Sequence, residues 1–118
     1  MDQQTERRRD GRATLPAAYT SVRVRREGRQ RFTLDGHAYD LSRTGMRLEL
    51  DHALRGGEQV DLQIRLPGCF ERVIRASGRV VRHVGLEEPG PVRMAVAFTD
   101  FQSPGDREQI DFFLRRAA

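Results

Sequence analysis

Strict alternation of apolar and polar residues dominates the middle of the chain. Val22 and Val24 alternate with Arg23 and Arg25, and Met46, Leu48 and Leu50 with Arg47 and Glu49. Val60, Leu62, Ile64 and Leu66 alternate with Asp61, Gln63 and Arg65, and Met94, Val96 and Phe98 repeat the theme. A period of two sends successive side chains to opposite faces, so each run predicts a strand with one buried and one wet face. Ile74, Ala76, Gly78 and Val80 predict a further strand running to His83, with Gly78 as a bulge or bend. The separators carry turn chemistry: Glu27-Gly28, Asp35-Gly36, Arg55-Gly56-Gly57, Leu66-Pro67-Gly68 and Glu88-Pro89-Gly90-Pro91. About six short strands with close turns predict an all-β fold, a six-stranded antiparallel β-barrel.

The two ends depart from this pattern. Residues 1–17 form a charged leader with no apolar periodicity, ending at Leu15-Pro16, and are expected to be flexible until something orders them. The barrel domain then occupies 18–118. Ser103-Pro104-Gly105-Asp106 reads as a helix start, with Ser103 as N-cap and Pro104 at the first helical position. Ile110, Phe113 and Leu114 fall on one face, and Arg115 and Arg116 suit the C-terminal end. A helix over about 103–116 is therefore expected to lie against the barrel and cover one mouth or edge.

Length and composition narrow the function classes. A chain of 118 residues fits one domain with one modest core. No apolar run approaches the ~20 residues of a membrane span, and the polar start carries no signal-peptide pattern, so a cytoplasmic location is expected. The single cysteine, Cys69 in a turn-like Pro67-Gly68-Cys69-Phe70 stretch, forms no internal disulfide and reads as a reduced thiol. His37, His52 and His83 share no metal-ligand spacing, and no catalytic context surrounds any serine, so neither metal, cofactor nor catalytic residues are expected. Phe98, Phe101, Phe112 and Phe113 are expected to pack core and helix. The net charge is +4, and all 21 basic residues are arginine. Arginine offers a planar, permanently charged fork suited to phosphate oxygens and to the guanine Hoogsteen edge. Acidic residues intersperse most of these arginines, and Arg7-Arg8-Arg9 stands out as a local positive cluster.

Two local patterns carry chemistry. Arg8-x-x-x-Arg12 lies in the leader, and Asp40-x-Ser42-x-x-Gly45 lies some 30 residues later, where two strands are expected to meet. The first spacing is weak alone, because it also occurs at 25/29, 43/47 and 75/79. The second is scarcer, at roughly 3% by chance for this composition. In this order, ahead of an all-β domain, they resemble the PilZ family. The similarity runs along nearly the whole chain, through Met46-Arg47-Leu48-Glu49-Leu50, Gly78-Arg79-Val80-Val81-Arg82 and Val96-Ala97-Phe98 before the C-terminal helix.

The resemblance implies a receptor for cyclic di-GMP, a ligand with two phosphates and two guanines. Arg8 and Arg12 would grip and stack on it. Asp40 would accept from the guanine N1–H and amine, and Ser42 would add a hydrogen bond. Gly45 would permit a positive φ or close approach of the ligand. The leader would close over the ligand against the barrel, a disorder-to-order switch. Arg7, just before the motif, is associated in this family with two stacked ligand molecules, and Arg9 would add a phosphate contact. An unidentified protein effector would read the change, in processes such as motility or biofilm control. Two alternatives stand beside this reading. One is a PilZ-fold interaction module that binds no nucleotide. The other is a basic small barrel that binds nucleic acid. The latter is disfavoured by the lack of Trp, the two Tyr and the acidic residues on the wet strand faces.

Overall fold

A computed structural model of the chain describes residues 13–15, 20–68, 72–84 and 90–117. The elements are β1 (Ala13–Thr14), β2 (Ser21–Arg26), β3 (Leu34–Leu41), β4 (Gly45–Leu50), β5 (Gln59–Arg65), β6 (Ile74–Val84), β7 (Val92–Phe101) and one helix, α1 (Pro104–Ala117). Six strands close on themselves in the order β2-β5-β6-β7-β4-β3, every pairing antiparallel, and β1 adds to the free side of β3. The expected six-stranded antiparallel barrel is therefore present, with one extra strand.

The alternation does what its period requires. Met46, Leu48 and Leu50 on β4 and Val60, Leu62 and Ile64 on β5 are buried, while the residues between them reach the surface. With Val22, Val24, Val80, Met94 and Val96 they fill the barrel. Burial of this apolar surface is the main term holding the strands together. Ile110 and Leu114 of α1 join the same core, so the helix stoppers the barrel beside the start of β6. Ser103 caps it as expected. Its Oγ accepts the Asp106 N–H at 3.3 Å, and its hydroxyl donates to the Asp106 carboxylate at 2.8 Å. Asp106 also accepts the backbone N–H of Arg75, which ties the helix start to β6.

Four local expectations are corrected. Asp35-Gly36 is not a turn but lies within β3. Gly36 faces Leu50 there, and a Cβ at Gly36 would overlap the Glu49 carbonyl oxygen. The flexible leader expected through residue 17 does not include 13–15. β3 pairs with β2 only over 34–37, which leaves the backbone of 38–41 needing partners on that side. β1, the Leu15 N–H to the Tyr39 carbonyl (3.0 Å) and the Ala38 N–H to the Thr20 carbonyl (3.0 Å) supply them. Leu15, 4% exposed, is drawn into the core at this gap. Phe112 is exposed rather than packed, with the Arg116 guanidinium over its ring, because its position on α1 faces away from Ile110 and Leu114. Gly45 does not have a positive φ. Gly78, by contrast, sits at a β-bulge as expected, where a Cβ would press on Val96.

Candidate functional site

Asp40, Ser42 and Gly45 come together at the β3–β4 hairpin. Asp40 leaves β3 on the outside of the barrel because a bulge at Tyr39 shifts the register between Ala38 and Asp40. Ser42 then starts a tight turn. Its N–H donates to the Gly45 carbonyl at 2.9 Å, and its hydroxyl bonds the same oxygen at 3.3 Å. Ser42 Oγ also accepts the Thr44 N–H at 3.3 Å and lies 3.2 Å from Thr44 Oγ1. The hydroxyl's one donor and two acceptor positions are thus engaged in the hairpin. Gly45 is also required by a close approach within the barrel. It stands opposite Ala97 on β7, where a Cβ would overlap the Val96 carbonyl oxygen.

The hairpin forms one wall of an open groove of ≈330 Å³ on the barrel exterior. Its floor is made of small residues, Gly45, Ala95 and Ala97, and its far wall of Val81 and Arg82 on β6. A further bulge, between Val80 and Arg82, puts both of these outside, and Val81 is 55% exposed. Arg47 rises from the floor beside Asp40, its Nη1 3.5 Å from the Asp40 carboxylate. Outward strand position is the plain expectation for Arg82, and Arg47 and Ala97 stand in stretches that carry the family resemblance; Thr44 and Ala95 carry no signal in the sequence.

The surroundings are ion-paired. Arg93 bridges to Glu49 at 3.1 Å one rung along, and Arg43 at the hairpin tip reaches Asp111 of α1 at 2.9 Å. Tyr39 sits among these charges. Its burial raises the phenol's pKa, with Arg47 and Arg93 opposing. Such a groove, half apolar in its floor, with a carboxylate beside one guanidinium and a second on the far wall, suits a planar polar group carrying an anion.

Arg7, Arg8, Arg9 and Arg12 lie outside the described residues, as does Cys69. What the structure does fix is where the chain resumes after Arg12. Ala13 pairs with Leu41 and Thr14 with Asp40. Among the described residues no group of His, Cys, Asp and Glu could hold a metal ion, and no helix is long and apolar enough to cross a membrane.

Comparison with known proteins agrees with this architecture. The fold is similar to that of Bacillus subtilis Inhibitor of motility (MotI/DgrA), with a TM-score of 0.67 and 21% identity over 89% of this chain. The match covers 48% of the MotI/DgrA chain, so this chain spans about half its length. It is also similar to the PilZ domain of YcgR from Escherichia coli, solved with c-di-GMP. That match has a TM-score of 0.62 and 22% identity, and covers 90% of this chain and 87% of that one. At these identities the likeness carries the fold. No curated protein matches the sequence. The PilZ domain model matches residues 6–116, which include both motifs, every described strand and all but the last residue of α1. The chain belongs to the PilZ domain family.

Proposed function

We propose that the protein is a cyclic di-GMP receptor and adaptor whose ligand seats in the groove beside Asp40 and is closed over by the arginine-bearing leader. The observation that carries this reading is the β1–β3 ladder. Thr14 stands opposite Asp40, and Arg12 comes two residues before Thr14 in the sequence, which supports a leader arginine acting beside that carboxylate. Arg8 follows within ~14 Å of extended chain. Arg8 and Arg12 supply charge-assisted bonds and a stacking plane, and Asp40 accepts from the guanine edge. Ser42 acts chiefly by holding the hairpin, since its hydroxyl is committed there. Arg7 and Arg9 add positive charge for phosphates, and Arg7 favours a stacked ligand pair.

In this reading the protein is not an enzyme. Ligand binding changes the exposed surface, and an unidentified protein partner in the cytoplasm responds, in motility or biofilm control. YcgR is a c-di-GMP-bound relative in fold, which supports the ligand class. The groove's carboxylate argues against the nucleic-acid alternative, which would want phosphate contacts without a competing anion. The retained Asp40-Ser42-Gly45 hairpin argues against a nucleotide-blind interaction module. Calorimetric titration with cyclic di-GMP, cyclic di-AMP and GTP tests the reading. Saturable binding is expected for the first alone, with two ligands per chain, and equal binding of all three would refute it.

A further inference from the structure

A single transverse rung of the sheet runs Arg82–Ala95–Arg47–Asp40–Thr14 across β6, β7, β4, β3 and β1. Arg47 and Arg82 therefore flank Ala95 from either side. Neighbouring strands lie ~4.8 Å apart, so the two arginine backbones are separated by about 10 Å with only a methyl group between them. The bulge on β6 creates this arrangement. Without the extra residue Val81 would stand opposite Ala95, and Arg82 would turn inward opposite Met94. Arg82 is exposed and makes no ion pair among the described residues, and Arg47 makes only the 3.5 Å contact to Asp40, longer than a direct hydrogen bond. Both side chains line the groove over this small floor, and two forks reaching over it from either side would match a tetrahedral anion.

We propose that Arg47 and Arg82 form a phosphate seat on the barrel itself, over Ala95, which takes a phosphodiester of the cyclic dinucleotide independently of the leader arginines. This rests on the reading of the groove as a cyclic dinucleotide site. Asp40, one rung position from Arg47, then takes the guanine edge while the seat takes the adjoining phosphate. Loading the seat draws the Arg47 fork from its long contact with Asp40.

The test uses the full chain with its arginine Nε–H groups followed by NMR, titrated with sodium pyrophosphate and, separately, with cyclic di-GMP. The Arg47 and Arg82 signals are expected to move together and saturate in both titrations. Arg47→Met and Arg82→Met should each weaken cyclic di-GMP binding by roughly tenfold. Ala95→Leu, which fills the seat with both arginines in place, should do the same. All three positions point outward, so unchanged melting temperatures separate a lost seat from a lost fold. If the parent binds cyclic di-GMP and the three variants bind equally well, the seat is wrong while the proposed function stands. If the parent ignores cyclic di-GMP yet pyrophosphate moves the two signals together, the proposed function falls and with it the seat's dinucleotide role, leaving a plain anion site. Pyrophosphate shifts spread over all exposed arginines overturn the seat.

Discussion

Thr14 stands opposite Asp40 in the β1–β3 ladder, so the chain that leaves the arginine motif runs directly past the carboxylate expected to read the guanine. The pairing is held from beyond by Leu15, which is buried in the core and donates its N–H to the Tyr39 carbonyl. The hinge of any leader movement therefore lies at or before Ala13.

Leu15 is accordingly predicted to position the leader without touching ligand. Leu15→Ala should destabilise the fold by about 2–3 kcal/mol, through lost burial and a residual cavity. It should also weaken cyclic di-GMP binding severalfold, because the competent leader position becomes a minor population. Leu15→Met should restore both. Urea unfolding and calorimetry on the same samples check this; a destabilised Leu15→Ala protein with unchanged affinity would contradict it.

Amide exchange provides a second check on the hinge. Residues 13 and 15, whose N–H groups face β3, should already be protected without nucleotide, and added cyclic di-GMP should raise protection in residues 6–12. Exchange in 6–12 that is indifferent to ligand would remove the closing leader from the mechanism.

Gly45 and Gly78 are predicted to tolerate no Cβ, for packing rather than conformational reasons. Each is pressed by β7, Gly45 against the Val96 carbonyl and Gly78 against the Val96 side chain and the Ala97 carbonyl. Gly45→Ala should cost about 1–3 kcal/mol by forcing β4 from β7. Gly56, with open space around its Cα, should accept alanine with little change in denaturation midpoint. Equal midpoints for Gly45→Ala and Gly56→Ala would contradict the close strand approach.

These glycines also show what was legible in the chain and what was not. β4 and β5 were legible because each is wet on one face and buried on the other, so the period of two is unbroken. β3 hid because Gly36 gives it a turn-like dipeptide and the Tyr39 bulge breaks its alternation. β1 hid because two residues carry no period. The Asp40-Ser42-Gly45 spacing was readable as a motif, but its turn bonds and the Gly45–Val96 approach depend on a hairpin meeting a strand some 50 residues away. The Arg82–Ala95–Arg47 rung was unreadable for the same reason, since it depends on a bulge and on the pairing of non-consecutive strands.

The network on the opposite flank makes stability pH-dependent. Burial opposes ionisation of Asp61, yet bonds from Arg25 (2.8 Å) and Ser77 (2.8 Å) outweigh it and hold the carboxyl below its ordinary value. A depressed folded pKa means the unfolded chain takes up the proton first, so this contribution is intact above the ordinary carboxylate range of about pH 4 and fades as pH falls through the folded value. Glu58, held low by the Arg55 N–H and Arg26 against its own desolvation, acts in the same sense. Asp61→Asn should flatten the acid limb of the stability curve, measured as urea midpoints between about pH 5 and pH 2. An unchanged acid limb would contradict the assignment.

The most direct measurement is a calorimetric double-mutant cycle on Arg12 and Asp40 with cyclic di-GMP as titrant. Arg12→Ala and Asp40→Ala should each cost at least ~2 kcal/mol, and the double variant should fall short of the sum because both groups hold one guest. Variants that bind as tightly as the parent, or a parent that gives no heat with cyclic di-GMP at millimolar concentration, would contradict the account.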